Sequence, residues 1–415
     1  MVSIIILALV VLLISIRRLG RYEIAMWQAM TLGAILVLIT RQISFQQAIL
    51  SINFEVIFFL LFMFILGSAL ELSGSLEYLA FKLFKKAKNV DLLILQMIFF
   101  FGILSSIFTN DTIAIVGTGL ALILSRNHKI DTKLILLTVA FSVTIGSTLS
   151  PIGNPQNLII AVEGSIPNPF LTFFKFNFIP MILNSFFAYL VLKFFFRKEF
   201  REEELIHEEV EIQDSSLAMI TLISSIILVV LIIIKVIVAY LTPSNDFPLV
   251  YIAMVSAIPV IVLSKRRREI LSEIDYKTLI FFVSMFILME SVFLSGTIQS
   301  TLDKLKLGSI GPLNILGVSV IISQLVSNVP ASMILLPLVR NSVPTLMALA
   351  SGTTIAGNLT ILGAASNIIV IQKSEKLGHS ISFLEFLKVG LVLTTFDLFV
   401  YGFFYGIVAK LNILR

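Results

Sequence analysis

Four short polar clusters carry the chemistry this chain of 415 residues has to offer. ThrAsnAspThr (109–112) and SerAsnValPro (327–330) each interrupt a long apolar stretch, and GlyAsnProGlnAsn (153–157) and GlyAlaAlaSerAsn (363–367) interrupt two more. Pro151, Pro155 and Pro330 withhold N–H groups and keep a helical ladder from closing, while Gly146, Gly153, Gly357 and Gly363 permit close backbone approach and unusual φ. A helix that starts at such a break points unpaired N–H groups and its positive dipole end at the gap, which suits an anion; the opposing carbonyl ends suit Na+. Thr109, Asn110, Thr112, Ser327 and Asn328 add neutral donors and acceptors without the cost of a full buried charge. Asp111 is the exception. It lies in the most apolar region of the first half, where a carboxylate is expensive unless it binds a cation or a proton.

The chain around these clusters is 58% hydrophobic and only 13% charged, against about a quarter charged in a soluble domain, which excludes a soluble globular enzyme. With no cysteine there is no disulfide framework, thiolate metal site or Cys nucleophile. His128, His207 and His379 all lie in polar stretches between apolar runs, so no HExxH-type zinc site is available. Paired catalytic carboxylates and a P-loop are also missing, which argues against a membrane enzyme, a resident cofactor and direct drive by ATP. The net charge of +5 comes from small basic clusters beside apolar runs, which read as membrane flanks and not as a nucleic-acid surface.

A helix needs about 20 apolar residues to cross a bilayer, and the sequence predicts crossings over 3–16, 24–40, 54–72, 134–163 (interrupted), 170–196, 217–241, 247–263, 277–294, 345–371 (interrupted) and 382–409. The stretches 91–124 and 311–343 break in the middle at the first two clusters. Each half reads as too short to span, so both are expected to be re-entrant helical hairpins. Most of the 30 Lys and Arg residues then fall on one side, which makes that side cytoplasmic and places both termini outside, with the protein in the plasma membrane. The apolar run at the start lacks a basic flank before it and has Arg17 and Arg18 after it, which does not fit a cleaved signal peptide. Glu71 and Glu290 are expected at the membrane interface, and Lys235 is expected to extend its stem toward the outer surface.

Residues 52–75 and 274–297 are related by a constant offset of 222: Phe59, MetPheIleLeu (63–66) and LeuSerGly (72–74) meet Phe281, 285–288 and 294–296. Asn110 pairs with Asn328, and 153–157 pairs with 363–367, in the same order along each half. With five crossings per half, the expected fold is an all-α polytopic membrane protein of two inverted repeats, 1–196 and 217–415, each with a re-entrant hairpin and an interrupted helix. Residues 197–216 form a charged cytoplasmic linker. Inverted repeats with discontinuous helices are the architecture of secondary transporters, with the substrate near the midplane where breaks converge.

SerAsnValProAlaSer (327–332) resembles the tip of sodium-coupled anion carriers, ThrAsnAspThr (109–112) resembles that of arsenite permeases, and ProIleGlyAsnProGlnAsn (151–157) and IleLeuGlyAlaAlaSerAsn (361–367) are similar to interrupted-helix loops of the same group. Over nearly its whole length the chain resembles the ion transporter superfamily, which includes divalent anion:sodium symporters, citrate transporters, arsenite permeases and some Na+/H+ antiporters. The resemblance implies alternating access by an elevator-like movement and often a homodimer. It places Thr109, Asn110, Ser327 and Asn328 at the substrate, with Thr112 and Pro330 beside them, and Asp111, Asn157 and Asn367 at a coupling Na+ or H+, with Gly153, Asn154, Gly363 and Ser366 completing those loops. Asp111 stands where dicarboxylate carriers usually have a neutral hydroxyl, and Val329 where Thr often stands. The expected function is therefore secondary transport of a small anion or oxyacid coupled to Na+ or H+. Na+/H+ antiport and arsenite or antimonite efflux are the alternatives.

Overall fold

The computed structural model describes residues 2–16, 18–19, 22–23, 25–200, 212–243, 246–296, 311–339 and 342–411. Most of the expected linker (201–211) lies outside the described residues, as do 297, the last position of the 222-offset repeat, and 340–341 in the second hairpin stretch.

Apart from a two-residue ladder between Arg18–Leu19 and Tyr22–Glu23, the described regular structure is helical. The first half runs α1 (Val2–Ile16), α2 (Met26–Ile39), α3 (Phe45–Leu50), α4 (Phe54–Ser73), α5 (Ser75–Phe84), α6 (Val90–Phe108), α7 (Asn110–His128), α8 (Thr132–Ser147), α9 (Pro155–Glu163) and α10 (Pro169–Phe195). The second runs α11 (Ser215–Leu241), α12 (Val250–Leu263), α13 (Arg267–Ser272), α14 (Tyr276–Leu294), α15 (Pro312–Val326), α16 (Asn328–Leu335), α17 (Val343–Ile355), α18 (Ala365–Lys376) and α19 (Phe383–Leu411). Short 3-10 turns follow α16 (Leu336–Leu338) and join α17 to α18 (Ala356–Asn358 and Ile361–Gly363). Five described helices, α4, α6, α10, α11 and α14, are long and apolar enough to cross a membrane.

Local sequence sets many of the starts. Asn53, Asn89, Asp131, Asn168, Asp214 and Asp275 each accept a hydrogen bond from a backbone N–H in the first turn of the following helix. Each such cap satisfies a donor that the helix cannot, typically worth about 1 kcal/mol. Asn53 and Asp275 are themselves repeat partners at the offset of 222.

Three expectations change. The arms of the first hairpin are not short: α6 and α7 have 19 residues each, about 28 Å at 1.5 Å per residue, because helix persists up to Phe108 and then through the polar ArgAsnHis at 126–128. Only the second hairpin has short arms, 15 residues in α15 and eight in α16. Lys235 extends toward the connection that follows α11, but its ammonium ends buried there and not open to water. It is 4% exposed, with Nζ 2.6 Å from Asp246 Oδ1 and also donating to the Phe247 carbonyl, because a nearby carboxylate gives the buried ammonium a partner. The short helices α3, α5 and α13 are absent from the predicted crossings, since none is long enough to announce itself by an apolar run.

Packing between the halves is reciprocal. Helix α2 packs on α14 while α12 packs on α4, and α6 packs on α8 as α15 does on α17. The inner arms cross over: α7 packs against α18, and α16 against α9. Glycines permit the close contacts. A Cβ at Gly146 of α8 would lie 2.1 Å from the Gly102 carbonyl oxygen of α6, and one at Gly352 of α17 would lie 2.8 Å from the Leu316 carbonyl oxygen of α15.

Candidate functional site

The two hairpin tips share an unusual backbone. Thr109 has φ +76° and ψ 143°, and Ser327 has φ +71° and ψ 164°, a region that glycine enters readily and a side chain occupies at a cost of about 1–3 kcal/mol. Such strain persists only where the surroundings enforce it. At the first tip they do: the Asn110 backbone N–H donates to the Gly153 carbonyl (2.7 Å), and the Asn110 side-chain amide donates to Ser366 Oγ (3.3 Å). The first tip is thus tied to both interrupted helices. Thr109 Oγ1 donates to Thr112 Oγ1 (3.1 Å), and Thr112 packs on Gly67 of α4, where a Cβ would lie 2.6 Å from its hydroxyl.

The two interrupted helices are closed by one device. Asn157 donates from its amide to the Ser147 and Ser150 carbonyls (3.0 and 3.1 Å), and Asn367 donates to the Gly357 and Thr360 carbonyls (2.5 and 3.3 Å). Each asparagine therefore binds the carbonyls ten and seven residues before it, satisfying acceptors that an unwound buried segment would leave bare. Gly153 and Gly363 complete the fit, since a Cβ would lie 2.3 Å from the Ser147 carbonyl oxygen or 2.5 Å from that of Ala356.

The starts of the resumed helices differ. Asn154 caps α9 by accepting from Asn157 N (2.9 Å), and its amide reaches Ser147 Oγ (2.9 Å) and Thr354 Oγ1 (3.1 Å). The matching position in the second half is Ala364, which leaves the first turn of α18 without a side-chain cap. Helices α7 and α16, which start at the tips, are uncapped as well.

A cavity of about 600 Å3 brings the tips together. Asn110, Asp111, Ser327 and Asn328 line it, with Ala364 and Ala365 of the uncapped α18. Its volume is that of a small-molecule site. Three oxygens of these residues, Asn110 Oδ1, Asp111 Oδ1 and Asn328 Oδ1, are buried without a hydrogen-bond partner. A second crevice of about 60 Å3, bordered by Glu71, Thr112, Glu273 and Asp275, is also lined by Asp111. Glu71 also holds Lys373 of α18 at 2.8 Å. Thr109, Pro330, Gly153, Asn154, Asn157, Gly363, Ser366 and Asn367 lie outside the lining of the large cavity; hydrogen bonds and close packing place most of them in the walls behind it.

The same cavity is lined by Gln156 of the 153–157 cluster and by Trp27, Asp275, Lys277 and Gln372, the last four not singled out from the sequence. Asp275 and Lys277 read as flanking charges. One signal pointed further: Asp275 is the repeat partner of Asn53, a place where the halves differ by a charge.

The citrate transporter family (CitMHS) matches residues 10–346. An uncharacterized transporter of Mycobacterium tuberculosis is 28% identical over 87% of each chain. The silicon efflux transporter LSI3 of Oryza sativa subsp. japonica is 25% identical over 83% of this chain and 84% of its own. The putative transporter arsB of Dictyostelium discoideum is 29% identical over 36% of this chain and 26% of its own. In structure, the YdaH transporter of Alcanivorax borkumensis superposes with a TM-score of 0.57 at 14% identity, covering 99% of this chain and 97% of the other, which speaks for the fold. An all-helical chain with membrane-length apolar helices, two polar hairpin tips meeting at one cavity and a family match across most of its length is a multi-pass membrane transporter, and it belongs to the citrate transporter family within the ion transporter superfamily.

Proposed function

We propose that the chain is a secondary active carrier that moves a small oxyacid in its uncharged form by alternating access, coupled to H+ or Na+ at Asp111. The observation that carries this reading is the balance of the cavity wall. Three buried oxygens of its lining residues have no hydrogen-bond partner, the uncapped start of α18 lines the same cavity, and Asp111 and Asp275 outnumber the single lysine, Lys277. A polyanion such as citrate brings only acceptors and negative charge to such a wall. A neutral oxyacid brings hydroxyls that donate to Asn110, Asn328 and Asp111, and oxygens that accept from helix N–H groups. Purified protein reconstituted in vesicles should take up arsenious or silicic acid under an H+ or Na+ gradient and not citrate. Gradient-driven citrate uptake with neither oxyacid transported would overturn the reading.

The two halves, 1–196 and 217–415 around the linker 197–216, act in this proposal as inverted repeats moving in an elevator-like way, in a homodimer in the plasma membrane. The reciprocal packing and the matched asparagine clamps support it. Asp275 and Lys277 at the cavity belong to the side that the charge bias makes cytoplasmic, so this conformation opens inward, with both termini outside. Single cysteines at positions 203 and 244 test the orientation: an impermeant thiol reagent applied to intact cells should label 244 and spare 203. A second reading, Na+/H+ antiport without a further substrate, is favoured by the acidic crevice that Asp111 also lines. It predicts Na+-driven proton movement in vesicles that contain no oxyacid.

A further inference from the structure

Away from the tips, one buried carboxylate has no part in that mechanism. Asp397 lies at the middle of the 29-residue α19 and is fully buried. Asn358 donates to its Oδ2 (2.8 Å), and its Oδ1 has no partner. Asn358 belongs to the 3-10 turn of the second interruption, next to Gly357, whose carbonyl Asn367 holds. Seven residues before Asp397, a Cβ at Gly390 would lie 2.2 Å from the Asn358 carbonyl oxygen, so α19 rests on the interruption first through a glycine and then through the carboxylate.

Further buried polar atoms without partners lie on the elements packed here: Asn358 Oδ1, Thr394 Oγ1, the Tyr401 hydroxyl, and both Oδ1 and Nδ2 of Asn184. Ring contacts of Phe176 with Tyr405 and of Phe187 with Phe396 run α10 antiparallel to α19 and set Asn184 level with Asp397. Thr394 is three residues from Asp397 on the same helix face. Its neighbour Thr395 uses its hydroxyl on the Leu391 carbonyl, as helical threonines commonly do, while Thr394 Oγ1 makes no such bond.

No basic group balances Asp397 among the described residues. Helices α15 and α17 and the two 3-10 turns packed on α19 contain no Asp, Glu, His, Lys or Arg. On α10, Lys175 is exposed and Lys193 pairs with Asp91 next to Tyr189. Lys133 of α8 pairs with Glu385, twelve residues away along α19. On α19 itself, Lys388 lies over the Phe195 ring, and Tyr401 and Tyr405 are the titratable groups nearest to Asp397. A lone carboxylate in a membrane helix marks an ion or proton site by default.

We propose that Asp397, Asn358, Asn184 and Thr394 form a buried site for a single monovalent cation, a proton or Na+, separate from Asp111 and bearing directly on the second interrupted helix. One carboxylate neutralises one unit of charge, and the described residues contain no group of three acidic or histidine ligands that would suit a divalent ion.

The test uses purified full-length protein at constant ionic strength, with melting temperature followed in NaCl and in choline chloride from acid to alkaline pH. If Na+ occupies the site, it raises the melting temperature of the wild type and of Asp111→Asn; Asp397→Asn loses most of that rise, and Thr394→Val needs a severalfold higher Na+ concentration for half of it. If a proton occupies the site, Thr394→Val matches the wild type, and Asp397→Asn flattens the fall of melting temperature with rising pH that Asp111→Asn retains. Asp397→Asn with the Na+ and pH responses of the wild type both intact would overturn the proposal. Should that variant fail to fold, Asp397→Glu moves the carboxylate by one methylene and must shift the Na+ half-effect or the pH midpoint; an unshifted response would equally overturn it.

Discussion

At the first interruption Asn157 holds the Ser147 and Ser150 carbonyls and Asn154 caps the helix that follows; at the second, Asn367 holds the equivalent carbonyls and Ala364 stands where the cap would be. The tips repeat the pattern. Thr109 and Ser327 share a left-handed φ and each is followed by asparagine, after which one chain position is Asp111 and the other Val329. The backbones match while the side chains do not. Shape is thus provided twice, whereas of the two tips only the first carries a carboxylate, and of the two interruptions only the second leaves its resumed helix without a cap. The two sets of interruptions keep in common what holds unwound backbone in place and differ where they border the cavity.

The largest effect should come from removing the charge that only one tip carries. Asp111→Asn keeps the shape, and its gradient-driven accumulation in vesicles should fall about tenfold or more, as expected for loss of a charge-assisted interaction, while passive exchange of substrate survives. Accumulation with unchanged Na+ and pH dependence would remove Asp111 from the coupling mechanism and erase the functional asymmetry of the tips. Next come the clamps. Asn157→Ala and Asn367→Ala each strand two buried carbonyls and should each lower unfolding stability by about 1–3 kcal/mol, Asn157 the more, because its Oδ1 also accepts from Thr354 (3.2 Å). A large loss at one and none at the other would show that the shared geometry hides unequal roles.

Smaller effects are expected at the tip amides. Asn110→Ala and Asn328→Ala should each weaken binding of the transported oxyacid by about 1 kcal/mol, near fivefold in its half-saturating concentration. The change at Asn110 should be larger, because its amide also ties the tip to Ser366. Equal values would mean that this tether adds nothing to binding. The smallest change belongs to backbone strain: Thr109→Gly and Ser327→Gly should leave the melting temperature level or raise it by the equivalent of about 1 kcal/mol or less, since relief of the left-handed φ is offset by a freer unfolded chain. A clear loss of stability at both would show that the hydroxyls matter more than the conformation.

Much of this was legible in the residues. Polar islands with Pro or Gly inside apolar runs announce unwound helix, and an offset of 222 between matching strings carries the expectation of a repeat. Asp111 stood out because nothing polar but its own cluster surrounds it in sequence. Asp397 does not, because a carboxylate within the predicted crossing 382–409, which also holds Glu385, gives no local sign of being buried; what makes it unusual is an amide 39 residues away at Asn358. Asp275 and Lys277 look like flanking charges until α14 is seen to start at the cavity. The pairing of Lys235 with Asp246 cannot be read from its helix alone, because Asp246 comes from the next connection. Periodicity reveals what a helix is made of, and these misses all concern what a helix faces.

The crossing of inner arms has a consequence for how the molecule is made. Helix α7 is covered by α18, and Asn110 reaches Ser366 across 256 residues of chain. At about 5–20 residues per second, a ribosome takes roughly ten to fifty seconds to travel that distance. Throughout that interval the first half sits in the bilayer with its tip unsealed, the Asn110 side chain without its partner and Asp111 without the surroundings that enclose it. A chain that ends before α18 lacks Ser366 and the helix that covers α7, so its loss is expected to be felt at the first tip.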